Sequence, residues 1–212
     1  MVAHEYAHGW AALRHGDPTA YQLGRLTWNP VKHIDPVLTL IMPLLIYWMS
    51  NGAFIFGGAK PVPVNPRNYR NYKRGDIAVS LAGVVTNLII AVLLVAVIAA
   101  VGMLGRAAPA LADSLSLLQR MLVIGIWINI LLAGFNLLPI PPLDGSHVFK
   151  YLLPPAWALS YERLGRYGLL LLLVILTVGR PIIMPYFGVL RSIYSFAVST
   201  VIPFIIPSAF TT

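Results

Sequence analysis

Apolar residues along this chain gather in five long runs, 37–56, 77–104, 121–138, 167–178 and 182–206, rather than alternating with polar ones. A helix needs about 20 mostly apolar residues to cross the hydrocarbon core of a bilayer. The run 77–104 meets this without a single charge, and 121–138 meets it while holding Asn129 and Asn136. The run 167–178 is short unless the turn holding Leu164 and Gly165 is added to it, and 182–206 is interrupted by Pro185, Arg191 and Pro203. There is no internal repeat and no low-complexity linker. The pattern predicts an all-α polytopic membrane protein, a bundle of about five to six membrane segments.

Composition agrees. Of 212 residues 58% are hydrophobic and only 10% charged, with a mean hydropathy of +0.77. A soluble domain carries about 25% charged residues, so this chain lacks the charge to cover a globule and is far too apolar to be disordered. The net charge of +8 belongs to loops that orient membrane helices, and no nucleic-acid partner is expected. The chain has no cysteine, which excludes disulfides, thiolate metal sites and a cysteine nucleophile.

Eleven of the fifteen Lys and Arg lie in three segments. Arg14, Arg25 and Lys32 precede the first run, Lys60, Arg67, Arg70, Lys73 and Arg74 follow it, and Lys150, Arg163 and Arg166 follow Asp144. The positive-inside rule places all three in the cytoplasm of a cell whose plasma membrane holds the protein. The run 37–56 then leaves and returns on one side, as a re-entrant hairpin turning near Asn51-Gly52; a single crossing would put five basic residues outside. Stretches 23–28 and 59–64 read as short β-strands beside the mouth of the membrane domain, since Pro61, Pro63 and Pro66 exclude helix from the second. Residues 1–13 read as a helix, the last half of a membrane segment, with no charged n-region and apolar h-region of a signal peptide.

That first helix contains His4-Glu5-Tyr6-Ala7-His8. Positions i and i+4 share a helix face, so both imidazoles can bind one metal ion, with Glu5 beside it to accept a proton from water. One of only two glutamates in the chain sits between these histidines. Chance would produce the pattern in roughly one such chain per thousand. A catalytic zinc has three protein ligands and one open position. Candidates for the third are His15, His33, His147, Glu162, Asp17, Asp35, Asp76, Asp113 and Asp144. Asp17 and Asp35 each precede a proline, where turn capping is the ordinary role. Asp144 ends Asn136-Leu137-Leu138-Pro139-Ile140-Pro141-Pro142-Leu143-Asp144-Gly145, where prolines break a membrane helix, and an ionisable group at that depth is a functional candidate.

His4-Glu5-Tyr6-Ala7-His8 together with Asn136-x-x-Pro139-x-Pro141-x-Leu143-Asp144-Gly145 resembles the site-2 protease family of intramembrane zinc metalloproteases. Lys60-Pro61-Val62-Pro63-Val64, Asn65-Pro66-Arg67-Asn68 and Ala82-Gly83-x-x-x-Asn87 are similar to its small bacterial branch, without PDZ or CBS module. The match covers about residues 1–165, the expected metalloprotease core, and leaves 166–212 as C-terminal membrane helices. The resemblance implies that His4, His8 and Asp144 ligate Zn2+, that Glu5 is the catalytic glutamate, and that Asn136 holds the substrate backbone or stabilises the transition state. It implies a membrane-spanning protein as substrate.

A membrane helix hides its own amides. Such a substrate must unwind, and a strand edge at 23–28 or 59–64 offers β-augmentation to hold it extended. Two other classes fit a His/Asp cluster in a bilayer: a metal-ion transporter and a catalytically inactive scaffold. For the remaining candidates, His33 reads as a solvated loop residue, His15 as interfacial, His147 as a partner that could orient Asp144, and Asn129 as a packing residue. Gly83 and Asn87 either permit close helix approach or face the site.

Overall fold

The computed structural model describes residues 1–49, 51–52, 55 and 57–207, apart from the side chains at 169, 173, 176, 177 and 180. Every regular element among the described residues is helical. The chain folds as two compact units, Met1–Thr86 and Asn87–Thr212.

The first unit opens with α1 (Val2–His15), which ends at Gly16. Gly16 has φ 107°, a left-handed conformation that glycine adopts without a Cβ penalty, and its N–H returns to the carbonyls of Ala12 and Leu13. The buried face of α1 holds His4, Gly9, Ala11 and Ala12. Ala11 and Ala12 pack with Tyr69 and Val79 in a small core flanked by Val64 and Ala82.

The first apolar run forms α2 (Pro36–Met49), whose opening stretch Pro36–Ile41 is π-helical. Asp35 caps it by accepting from the backbone of Val37 and Leu38, each at 2.9 Å, the turn-capping role its position before proline suggests. At about 1.5 Å per residue, 14 helical residues reach about 21 Å, short of a bilayer crossing. The backbone turns at Asn51 (φ 52°) and Gly52 (φ 80°). It then comes back beside its own start: Gly58 N donates to Leu38 O at 2.9 Å and Thr39 Oγ1 to Gly58 O at 2.7 Å.

Segments 23–28 and 59–64 are not paired strands among the described residues, and no β-ladder forms there. Pro61 and Pro63 offer no N–H, and side chains claim most of what remains. Arg25 donates to the carbonyls of Lys60 and Pro61, and Glu5 accepts from Val62 N. A ladder needs those groups for itself.

The helix α3 (Tyr72–Ala107) contributes residues to both units. The second unit continues with α4 (Ala112–Leu137), α5 (Asp144–Phe149), α6 (Pro155–Leu164), α7 (Gly168–Thr177) and α8 (Arg180–Val201). Its core joins Ile98 of α3, Val123, Ile126 and Ile130 of α4, and Leu190 and Val201 of α8. Gly134 brings α8 close, since a Cβ there would lie 2.5 Å from Leu190, and Tyr186 donates to the Gly134 carbonyl at 2.8 Å. The fully buried Gln119 donates to Ile98 O and Phe204 O and accepts from Ile206 N, all at 3.0 Å. Both hydrogens and the carbonyl of its amide are thereby used.

Among the described residues, three helical stretches are long and apolar enough to cross a membrane: Tyr72–Ala107, Pro109–Leu137 and Pro181–Phe204. The protein is an all-α membrane protein.

Candidate metal centre

The helical repeat of α1 places His4, Glu5 and His8 together in the first unit. His4 is buried, and its imidazole occupies space that Gly83 of α3 leaves open: a Cβ at Gly83 would sit 2.4 Å from His4 Cε1. Any larger residue at 83 displaces this ring. Nε2 of His4 and Nε2 of His8 are 3.0 Å apart. On its other side, Nδ1 of His8 lies 2.7 Å from the Val79 carbonyl. A carbonyl only accepts, so His8 carries its proton on Nδ1 and presents the Nε2 lone pair toward His4.

This donor set fits zinc. Two nitrogens bound tetrahedrally at 2.0–2.1 Å stand about 3.3 Å apart, close to the spacing present, and a carbonyl fixing the tautomer of a ligating histidine is the usual supporting contact. Glu5 lies on the same turn and is held by a strap, residues 60–65, that crosses α1. Val62 N donates to Glu5 Oε2 at 2.9 Å. Gly9 permits the crossing, because its Cβ position lies 3.0 Å from Val62 Cγ1.

The strap is fastened beyond Glu5 by Asp17, which is 0% exposed. Its carboxylate accepts from Asn65 N at 2.6 Å, Asn68 Nδ2 at 2.8 Å, Thr19 N at 3.1 Å and Thr19 Oγ1 at 2.5 Å. Sequence reasoning assigned Asp17 to turn capping. It does cap Thr19, but it also joins two segments 48 residues apart. Burial pushes this carboxyl up, yet the bonds from Asn65, Thr19 and Asn68 outweigh it and hold the group below its ordinary value of 3.8. A lowered native pKa adds stability that is complete above the unfolded value and lost as pH falls through the native one. The margin in melting temperature between the parent and Asp17→Asn should be full near pH 7 and shrink below about pH 4. Thermal unfolding in detergent across that range checks this.

His33 is a correction. A basic loop suggested a solvated ring, but it is 2% exposed, with Nε2 2.9 Å from Thr27 O. The loop closes over it because Lys60 N also donates to His33 O at 2.8 Å.

In the second unit, Asn136 lies on the last turns of α4 and donates through Nδ2 to Leu132 O at 2.9 Å. Asn129 makes the same contact with Gly125 O at 2.9 Å. Asp144 begins α5 and is partly buried. Gly145 seats α5 against the end of α4: a Cβ there would lie 2.2 Å from Leu137 O and 2.7 Å from Leu138 O. No larger residue fits without moving Asp144. Val79, Val62 and Asp17 are the contributors that sequence reasoning missed. The first two act through backbone atoms, which leave no residue-type signal.

The profile of Peptidase family M50 matches residues 100–177. YwhC of Bacillus subtilis, named as a candidate zinc metalloprotease, is 37% identical over 178 residues, covering 82% of this chain and 75% of that protein. Rip2 of Mycolicibacterium smegmatis, similarly named, is 32% identical over 184 residues, covering 83% of this chain and 62% of its own length. A Methanocaldococcus jannaschii protein named in the same way is 52% identical over 44 residues, 21% of this chain. No solved structure gives a significant match.

Proposed function

Because this chain belongs to the M50 peptidases, zinc metallopeptidases of the site-2 protease type, we propose that it hydrolyses peptide bonds of membrane-spanning proteins at a site formed by His4, His8, Glu5, Asp144 and Asn136. What carries this reading is the pair of imidazole Nε2 atoms 3.0 Å apart, one with its tautomer fixed by Val79, on the same turn as a carboxylate. A transporter or an inactive scaffold has no use for a base held at that spot.

His4 and His8 supply two ligands, and Asp144 is the third in this reading. Its support is the seat of Gly145 on the end of α4, which fixes where the carboxylate-bearing turn begins. Zinc, when bound, supplies a Lewis acid that lowers the pKa of water toward about 7 and polarises the scissile carbonyl. Glu5 accepts the proton of the attacking water and returns it to the leaving amine. Asn136 donates to the developing oxyanion, worth about 3 kcal/mol in comparable sites, through the second of its two Nδ2 hydrogens, the first being on Leu132 O.

The stretch 23–28 or 59–64 is the edge on which an unwound substrate is held. Within 61–64, Pro61 and Pro63 offer no N–H and Val62 N is spent on Glu5, which leaves Val64 as the donor. The core is assigned to 1–165, followed by membrane helices in 166–212. The turn at Asn51-Gly52 and the return beside Leu38 support a re-entrant hairpin, and with the apolar runs this gives five to six membrane segments. The clustered Lys and Arg set the site toward the cytoplasmic side of the plasma membrane.

In proteoliposomes holding a single-span substrate, a zinc chelator should reduce cleavage at least about a hundredfold, and stoichiometric zinc should restore it. Cleavage that persists in metal-free protein refutes the proposal.

A further inference from the structure

Glu5 meets one strap amide, and that amide stays in place only if the strap does. Pro61 and Pro63 have no N–H, so the backbone between Lys60 and Val64 has a single donor, Val62 N, and it is spent on Glu5 Oε2 at 2.9 Å. Beyond Glu5 the strap is fastened by Asp17 through Asn65 N at 2.6 Å. Before Glu5 the strap is held at Lys60 N by His33 O at 2.8 Å, and closer to Val62 by Arg25, whose Nη2 donates to Lys60 O at 3.1 Å and Pro61 O at 3.3 Å. These are the two carbonyls immediately preceding Val62.

Arg25 is itself set by its neighbours. It follows Gly24, whose φ of 62° turns the chain, and Lys32 Nζ donates to Gly24 O at 3.2 Å. Arg25 N donates to Ala20 O at 2.9 Å. A planar guanidinium can serve two adjacent carbonyls from one nitrogen or from its fork, whereas an ammonium on a flexible stem holds a less defined geometry.

We propose that Arg25 is a positioning residue for Glu5: by gripping the Lys60 and Pro61 carbonyls it keeps the Val62 N–H on the Glu5 carboxylate and so fixes where the proton acceptor stands. The inference rests on Glu5 acting as the base. It assigns no substrate contact to Arg25. Released at its Arg25 end, the strap still hangs from Asp17, so the fold and the histidine pair persist. The carboxylate, however, loses its fixed rotamer, and general-base catalysis is sensitive to such misplacement.

The test is Arg25→Met, with Arg25→Lys as the conservative variant, in detergent-solubilised protein loaded with zinc. Arg25→Met should lower kcat about tenfold or more with KM and bound zinc within about twofold of the parent, and Arg25→Lys should recover part of the loss. An independent readout needs no turnover. Val62 is the one exchangeable amide across 61–63, so the difference in exchange between overlapping peptides that include and omit these residues reports a single bond. Its exchange should accelerate about tenfold in Arg25→Met and also in Glu5→Ala.

Unchanged Val62 protection, or a kcat equal to the parent's, overturns the proposal. So does a loss that falls on KM or on zinc content. If instead Glu5→Gln keeps full cleavage, it is the functional reading that fails, whatever Arg25 does.

Discussion

Glu5→Gln should abolish cleavage, by at least about a thousandfold in kcat, while zinc remains bound at one equivalent. The substitution is nearly isosteric, and its amide oxygen can still accept the Val62 N–H that holds Glu5 at 2.9 Å. The strap and the histidines therefore keep their places. What disappears is the basic lone pair that receives the water proton. His4 and His8 contact each other, the Val79 carbonyl and the space at Gly83, and the substitution leaves these contacts in place. Zinc analysis and turnover of a membrane-spanning substrate, measured on one preparation, check both halves. A variant that cleaves normally removes Glu5 from the chemistry. One that loses zinc as well would place Glu5 among the ligands.

Asp144→Ala should have the opposite signature. With Asp144 as the proposed third ligand, its loss should weaken zinc binding by more than about a hundredfold, because removing a mere supporting contact already costs about 10–100-fold in known sites. Cleavage falls with the metal, and excess zinc restores it only in part. The helix α5 should survive, since Gly145 makes its close contact with the end of α4. Equal melting temperatures for the metal-free parent and variant test that. If Asp144→Ala binds zinc as tightly as the parent, the third ligand lies elsewhere. His147 is then the next residue to examine on α5.

The features readable in advance were those written in local pattern. His4 and His8 fall on one face because a helix repeats every 3.6 residues. Long apolar runs announce helices such as Tyr72–Ala107 because the bilayer tolerates little else. Asn51-Gly52 marks a turn because these residues accept positive φ. What escaped the sequence depends on segments far apart meeting. Asp17 looked like a cap because its bond to Asn65 needs the strap to fold back. His33 looked solvated because it lies in a basic loop beside Lys32, whereas the loop closes over the ring through Thr27 and Lys60 backbone contacts. The stretch 59–64 was read as a strand from its valines and prolines. Such residues do favour an extended path, but Arg25 and Glu5 reach its polar groups before another strand can.

The claim on which the rest depends is that one ion joins the start of the chain to Asp144. Crystals of the zinc-loaded protein, measured on both sides of the zinc absorption edge, test it most directly. The account predicts a single anomalous peak about 2.0–2.2 Å from Nε2 of His4, Nε2 of His8 and a carboxylate oxygen of Asp144. A peak ligated by the two histidines with Asp144 outside its coordination sphere, or no peak at the histidine pair, would contradict it.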